Sequence, residues 1–275
     1  MGWVGRREPP AWSASHGAAT GALARNVLHT MRTLGIDLAV QPQNTAACAI
    51  DWSTTPPTVT PPELNLTDAD LTIRIHASDK AAIDAPFGWP DEFVAAVSDY
   101  ADTGRFTTTE RARLRFRETD RAVAEERLPL SVSSDRIAVT AMRCAALLTQ
   151  LSEQGLDVDR AGFGRVVEVY PAAALVRLGI EPRGYKAKDA HEARQAVTER
   201  LVAESGGALV LEPAVVEACV ATDHALDALI AALVARAAAL EGRADGPPAE
   251  LVEQAQREGW IWLPRAGGLA GVLCG

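Results

Sequence analysis

Apolar and polar positions along this chain change their period several times, and each change marks an element. Residues 32–40 read as a buried strand, joined by a Gln-Pro-Gln-Asn turn to a partner over 45–52. A third extended piece is expected at 58–66, although Pro61 and Pro62 confine it to an edge or break it. Thr67 caps a short helix reaching Ala77, with Asp70 in its first turn, and residues 80–84 form the next strand. The period turns helical over 91–100 and again over 136–154, where Ile137, Met142, Ala145, Leu148 and Leu151 are the apolar positions. Residues 164–170 are a fifth strand, and Pro171 opens a helix at a tolerated place. Helices over 188–204, 223–240 and 247–258 follow, the last running into the apolar Trp260-Ile-Trp-Leu263.

This order predicts an α/β fold whose core is a mixed five-stranded sheet flanked by helices. The domain spans residues 31–264, carries a mainly helical, Arg-rich insertion at about 86–162, and ends in a tail over 265–275. Residues 1–30 contain Gly, Pro, Ser and the tryptophans Trp3 and Trp12 without a sustained period, and Met31 directly precedes a strong strand. They read as a disordered N-terminal extension or as the product of an upstream translation start. No repeat of fixed period is present.

Charge and composition narrow the function. A formal net charge of -9 argues against a protein whose whole surface binds nucleic acid through Lys and Arg, so an anionic substrate has to be held locally or through a metal. Cys48, Cys144, Cys219 and Cys274 are scattered, without the short paired spacing of a zinc site or a disulfide framework, and a reducing, cytoplasmic setting follows. The Ala-rich stretch at 225–240 contains Asp227 and Arg236 and falls short of the ~20 apolar residues a bilayer needs. It reads as a buried helix, and no membrane association is expected.

The candidate chemistry is acidic. Two strands end on aspartate, Gly35-Ile-Asp37 and Ala82-Ile-Asp84, each acid preceded by Ile and followed by a small or apolar residue. In an open α/β sheet the crevice beyond the strand carboxyl ends is where ligands bind. A single Asp after a strand is more often a turn or helix cap, but two in matching contexts favour a shared site. Asp223 and Asp227 share one helical face, with His224 three positions before Asp227, and the flanking Ala225, Ala228, Ala231 and Ala232 let that helix lie close on the sheet. Asp223 is equally well an N-cap and His224 an ordinary helix-start residue, whereas Asp227 inside an apolar helix needs a partner. Glu168 alternates with Val167 and Val169 in a strand and is a further candidate. Converging carboxylates need a cation.

Phosphate handling falls to the insertion. Between Arg105 and Arg121 stand six arginines against Glu110, Glu118 and Asp120, and Arg113, Arg117 and Arg121, spaced by four, are expected to form one helical stripe. Such a stripe suits phosphate, and equally suits a solvated helix with internal ion pairs. Lys186, after Tyr185, is a further phosphate contact.

The segments Gly35-Ile-Asp37-Leu-Ala, Ile83-Asp84-Ala-Pro-Phe-Gly, Arg117-Glu-Thr-Asp120-Arg121, Val167-Glu168-Val-Tyr-Pro171, Tyr185-Lys186, His224-Ala-Leu-Asp227-Ala and Gly259-Trp-Ile-Trp-Leu-Pro264 together resemble domain of unknown function 429 over roughly residues 31–264. That family is described as predicted nucleases with an RNase H fold, and a three-strand meander, a helix and a strand are how an RNase H-like sheet begins. The resemblance implies acids on the first and fourth strands and a late helix, here Asp37, Asp84 and Asp227; the second is an Asp where many members of that superfamily place the longer Glu. His224-x-x-Asp227 is also similar to the last motif of RuvC-type resolvases. The implied activity is a metal-dependent nuclease or phosphodiesterase, a hydrolase using Mg2+ or Mn2+ held by Asp37, Asp84, Asp223 and Asp227, with His224 or Glu168 orienting water and a nucleic acid or nucleotide as substrate. Gly-Ile-Asp also opens the phosphate-binding strand of sugar-kinase and actin-like ATPases, so nucleotide-dependent phosphotransfer is an alternative, as is a non-catalytic interaction protein. The phosphotransfer alternative expects further glycine-rich phosphate loops, and Gly206-Gly207 and Gly267-Gly268 are not expected to lie between a strand and a helix.

Overall fold

The sheet grows outward from its first strand, β1 (Arg32–Asp37), in this computed structural model, which describes residues 31–106 and 110–273. The extension predicted at 1–30 lies outside the described residues. β2 (Ala46–Asp51) runs antiparallel to β1, and the short β3 (Thr58–Val59) and β4 (Glu63–Leu64) both pair with β2. Pro61 and Pro62 lie between those two pieces and withhold the N–H groups a continuous strand would need. After α1 (Asp68–His76), capped reciprocally by Thr67 and Asp70, β5 (Lys80–Asp84) lies parallel to β1 with Asp37 directly opposite Asp84.

The described residues between β5 and the next strand are helical or irregular: α2 (Asp91–Thr103), α3 (Arg111–Arg115), α4 (Glu118–Ala122), α5 (Ala124–Arg127) and α6 (Ile137–Glu153). β6 (Val166–Val169) then returns parallel to β5. It is followed by α7 (Pro171–Arg177), α8 (His191–Glu204), α9 (Pro213–Ala221), α10 (Asp223–Ala239), β7 (Ala244–Asp245), α11 (Val252–Glu258), β8 (Ile261–Pro264) and α12 (Leu269–Leu273).

The sheet has eight strands rather than five, in the order β3-β2-β1-β5-β6-β8-β7 with β4 also on β2. The difference comes from the proline-split third strand, from the two-residue β7 and from β8, a four-residue apolar run too short to tell from a buried turn by periodicity. β8 pairs parallel with β6, and the two-residue β7 pairs antiparallel with β8. The stretch after Pro264, expected to be a tail, carries α12, whose Leu269, Val272 and Leu273 belong to the core. Met142, assigned to the apolar face of α6, is 59% exposed, while Cys144 and Leu147 face inward instead.

Alternation divides the strands between two apolar layers. Leu34, Ile36, Ala81, Ile83 and Val166 pack on one face with α1 and α6 residues such as Leu71, Ile75 and Leu147. Ala82, Val167 and Val169 pack on the other face with α7 to α10 and α12. Helix α10 is the centre of that second layer, buried throughout residues 225–237. It touches β1 so closely that a Cβ on Gly35 would lie 2.0 Å from the Ala228 carbonyl oxygen and 2.1 Å from the Ala232 nitrogen. Glycine on the strand and alanines on the helix are therefore one feature, a backbone-to-backbone approach. Among the described residues no helix is long and apolar enough to cross a membrane.

Candidate functional site

Asp37 and Asp84 occupy the same rung at the carboxyl ends of neighbouring parallel strands, and they share strand parity with Gly35 and Ala82. Their side chains therefore project onto the face that α10 covers. The close packing over Gly35 brings the first turns of α10 to these strand ends. Each of Asp37, Asp84 and Asp227 offers one carboxylate oxygen, and the three oxygens lie within 4.8 Å of one another.

Every member of the trio has a partner. His224 Nδ1 lies 2.5 Å from Asp37 Oδ2. The Tyr185 hydroxyl donates to Asp227 Oδ1 at 2.7 Å, and Lys186 Nζ lies 2.7 Å from Asp227 Oδ2 and 3.9 Å from Asp84 Oδ2. The Asp227 side chain is only 2% exposed, whereas that of Lys186 is 42% exposed and enters from the solvent side.

Burial and mutual repulsion set the protonation. Burial pushes the Asp84 carboxyl well above its ordinary value, Lys186 works against this, and Asp37, Asp227 and Glu168 reinforce it. Burial raises Asp227 to about 6, again opposed by Lys186. The hydrogen bond to Asp37 raises His224 and favours imidazolium. Lys186 loses some preference for charge to burial, but Asp227 outweighs this and holds its ammonium above the ordinary lysine value.

The Asp227 value carries a stability prediction. Because its folded pKa of about 6 exceeds the ordinary 3.8, the native state binds more protons than the unfolded chain between those limits. Stability from this group is fully present below pH 3.8 and is lost as pH rises through about 6. Asp227→Asn keeps an acceptor for Tyr185 and removes the charge. In chelator-treated protein it is expected to raise urea-unfolding stability at pH 8 by up to roughly 3 kcal/mol, with little change at pH 4. A loss of stability at pH 8 would show that the Lys186 pair outweighs the cost of burying the acid.

Other residues expected at the site lie elsewhere. Glu168 pairs in register with Ile83, so it projects to the opposite face of the sheet from Asp37 and Asp84. There it is buried against Arg117, whose Nη2 and Nη1 reach its two oxygens at 2.6 and 2.8 Å, and it accepts the Phe87 N–H at 2.9 Å. It does not join the carboxylate trio, although its bond to Phe87 fixes the turn after Asp84. Asp223 is not in the trio either. It lies in the first turn of α10 behind the cap Thr222, where a negative charge suits the helix dipole.

The arginine stripe does not form, because Phe116 and Arg117 are extended and break the segment into short helices. Arg117 is 2% exposed and also binds Asp120 and the Glu258 carbonyl. Arg121 turns back to the Phe116 carbonyl and to Glu118. Arg113 stays exposed beside Glu92 at 3.4 Å. Lys186, expected to contact phosphate, contacts the acids. Gly267 and Gly268, expected to lie away from any strand-helix junction, stand between β8 and α12, but that helix has five residues and its apolar side chains are core.

Three residues at the site carried no expectation. Tyr185 orients Asp227. Tyr170 directly follows β6, and burial raises its phenol, with Arg127 and Lys186 opposing the rise and Asp84 adding to it. Its place just past a parallel strand is the signal that marked both aspartates. Arg194, 1% exposed, donates to the carbonyls of Tyr185, Ala187, Val220 and Ala221, tying the Lys186 loop to the start of α10.

Fold and site thus define a mixed α/β domain with a cluster of hard oxygen donors at the carboxyl ends of its central parallel strands. Hard oxygen donors of this kind suit a hard cation better than a soft metal. The model of the family described as Protein of unknown function (DUF429) matches residues 35–253, and the chain belongs to that family. Comparison with curated proteins and with solved structures gives no match.

Proposed function

We propose that this protein is a metal-dependent nuclease or phosphodiesterase of RNase H-like type, acting on phosphodiester bonds of a nucleic acid or nucleotide. The convergence of Asp37, Asp84 and Asp227 carries this reading. Two further features support it: the meander β1-β2-β3 is followed by a helix and a parallel strand, and the acids stand on the first strand, on that parallel strand and on a late helix.

Asp37, Asp84 and Asp227 would hold Mg2+ or Mn2+, which activates water and stabilises a leaving oxygen when bound. Tyr185 fixes the orientation of Asp227, and Glu168, through the Phe87 N–H, fixes the turn that presents Asp84. Asp37 holds His224 by Nδ1 and favours its protonated form, so the other ring nitrogen can pass a proton to a departing oxygen. Lys186 supplies positive charge for a phosphate at the exposed edge of the cluster.

The test is hydrolysis of single- and double-stranded DNA, RNA and a dinucleotide by full-length protein with Mn2+. Wild type is expected to cleave at least one of these, Asp37→Asn none, and chelation is expected to stop the reaction. Hydrolysis that survives Asp37→Asn, or no hydrolysis together with ATP-dependent thermal stabilisation, would overturn the reading in favour of contamination or phosphotransfer respectively.

A further inference from the structure

Lys186 has an unusual setting for a phosphate-binding lysine. Its ammonium is already seated on the carboxylates, 2.7 Å from Asp227 and 3.9 Å from Asp84, where positive charge is most needed. The seat is built into the fold. Buried Arg194 donates to the carbonyls on either side of Lys186, those of Tyr185 and Ala187, at 3.1 Å each. The same guanidinium donates to Val220 at 2.8 Å and Ala221 at 3.3 Å, immediately before the helix that carries Asp227. The backbone of the lysine is thus fixed relative to the acid, while its side chain, 42% exposed, can withdraw into water without opening the core. Tyr185 holds Asp227 Oδ1 independently, so the carboxylate keeps its orientation when the lysine leaves.

We propose that Lys186 is the resident counter-cation of the carboxylate cluster, exchanging with a divalent ion for Asp227 and Asp84 and, once released, serving as the arm that meets an anionic substrate. The inference rests on the metal-dependent reading above. Its physical basis is competition: three carboxylates repel one another, and an ammonium and a divalent ion satisfy the same oxygens. Apparent ion affinity is therefore the intrinsic affinity multiplied by the fraction of protein in which the lysine is not seated.

Two measurements on the full chain test this. The first is calorimetric titration of Mn2+ into wild type, Lys186→Met and Lys186→Gln, with far-UV circular dichroism to establish folding. Both variants are expected to bind Mn2+ roughly tenfold more tightly than wild type. The second needs no variant. The chain has only three lysines, Lys80, Lys186 and Lys188, so acylation by an activated ester can be followed residue by residue by mass spectrometry. Mn2+ is expected to accelerate acylation of Lys186 severalfold relative to exposed Lys188, and Asp227→Asn to do so without any ion.

Equal or weaker Mn2+ binding by both variants, with Lys186 acylation indifferent to Mn2+, would overturn the exchange and leave the metal-dependent reading intact. Absence of Mn2+ binding in wild type and variants alike would overturn the metal-dependent reading itself.

Discussion

Gly35→Ala is expected to leave little folded protein at room temperature. The added Cβ would stand 2.0 Å from the Ala228 carbonyl oxygen, 2.1 Å from the Ala232 nitrogen and 2.8 Å from the Ala231 carbonyl carbon. All three are backbone atoms of a helix in the middle of the core, so no side-chain rotation relieves the contact. Helix α10 has to lift from β1, and the side chains it buries lose packing along its length. Ordinary overpacking costs about 1–3 kcal/mol, and this case should exceed that range because backbone has to move. Against a total stability of about 5–15 kcal/mol the loss is severe. Equilibrium urea unfolding followed by circular dichroism is the check. A variant within ~0.5 kcal/mol of wild type would mean that the helix does not approach the strand this closely.

Arg117→Met is expected to be comparably damaging through charge rather than volume. The guanidinium is 2% exposed and binds both oxygens of Glu168, both oxygens of Asp120 and the Glu258 carbonyl. Removing it leaves two buried carboxylates without their cation, which costs about 3–5 kcal/mol in comparable pairs. A pH test distinguishes this cause from lost packing. Burial already raises Glu168 above its ordinary 4.5, and loss of Arg117 raises it further. The variant's native state then binds more protons than its unfolded state, so stability should recover as pH falls from 8 towards 5. Adding Glu168→Gln and Asp120→Asn should restore much of the loss at pH 8. A deficit indifferent to both pH and these replacements would show that shape, not charge, makes the residue necessary.

The legible part of the molecule was the part governed by local period. Asp37 and Asp84 stand out because an acid closes an apolar strand, and Asp227 because it interrupts an apolar helix. Small residues at 225, 228, 231 and 232 announced the close approach to the sheet, though not that Gly35 receives it. Glu168 was misplaced for a geometric reason. Sequence gives the alternation within a strand, but only the register with Ile83 decides which layer its side chain enters. The arginine stripe assumed one continuous helix, and the extended backbone at Phe116 and Arg117 breaks it. Arg194 left no local trace because its acceptors are main-chain carbonyls, two of them 26 and 27 positions away. Residues 261–264 form a strand only because β6 and β7 supply partners on either side.

The helix that delivers Asp227 and His224 to the strand ends is also the one around which the second apolar layer is assembled. For an engineer the two tasks are mechanically inseparable. Repacking this helix to toughen the protein would tilt or slide the very groups that complete the carboxylate cluster, so gains in heat resistance there would come at the expense of the site's geometry. The independent design space lies at the periphery, in the exposed apolar side chains of α2 such as Val94, Val97 and Tyr100. Substitution there can raise solubility without moving a single carboxylate.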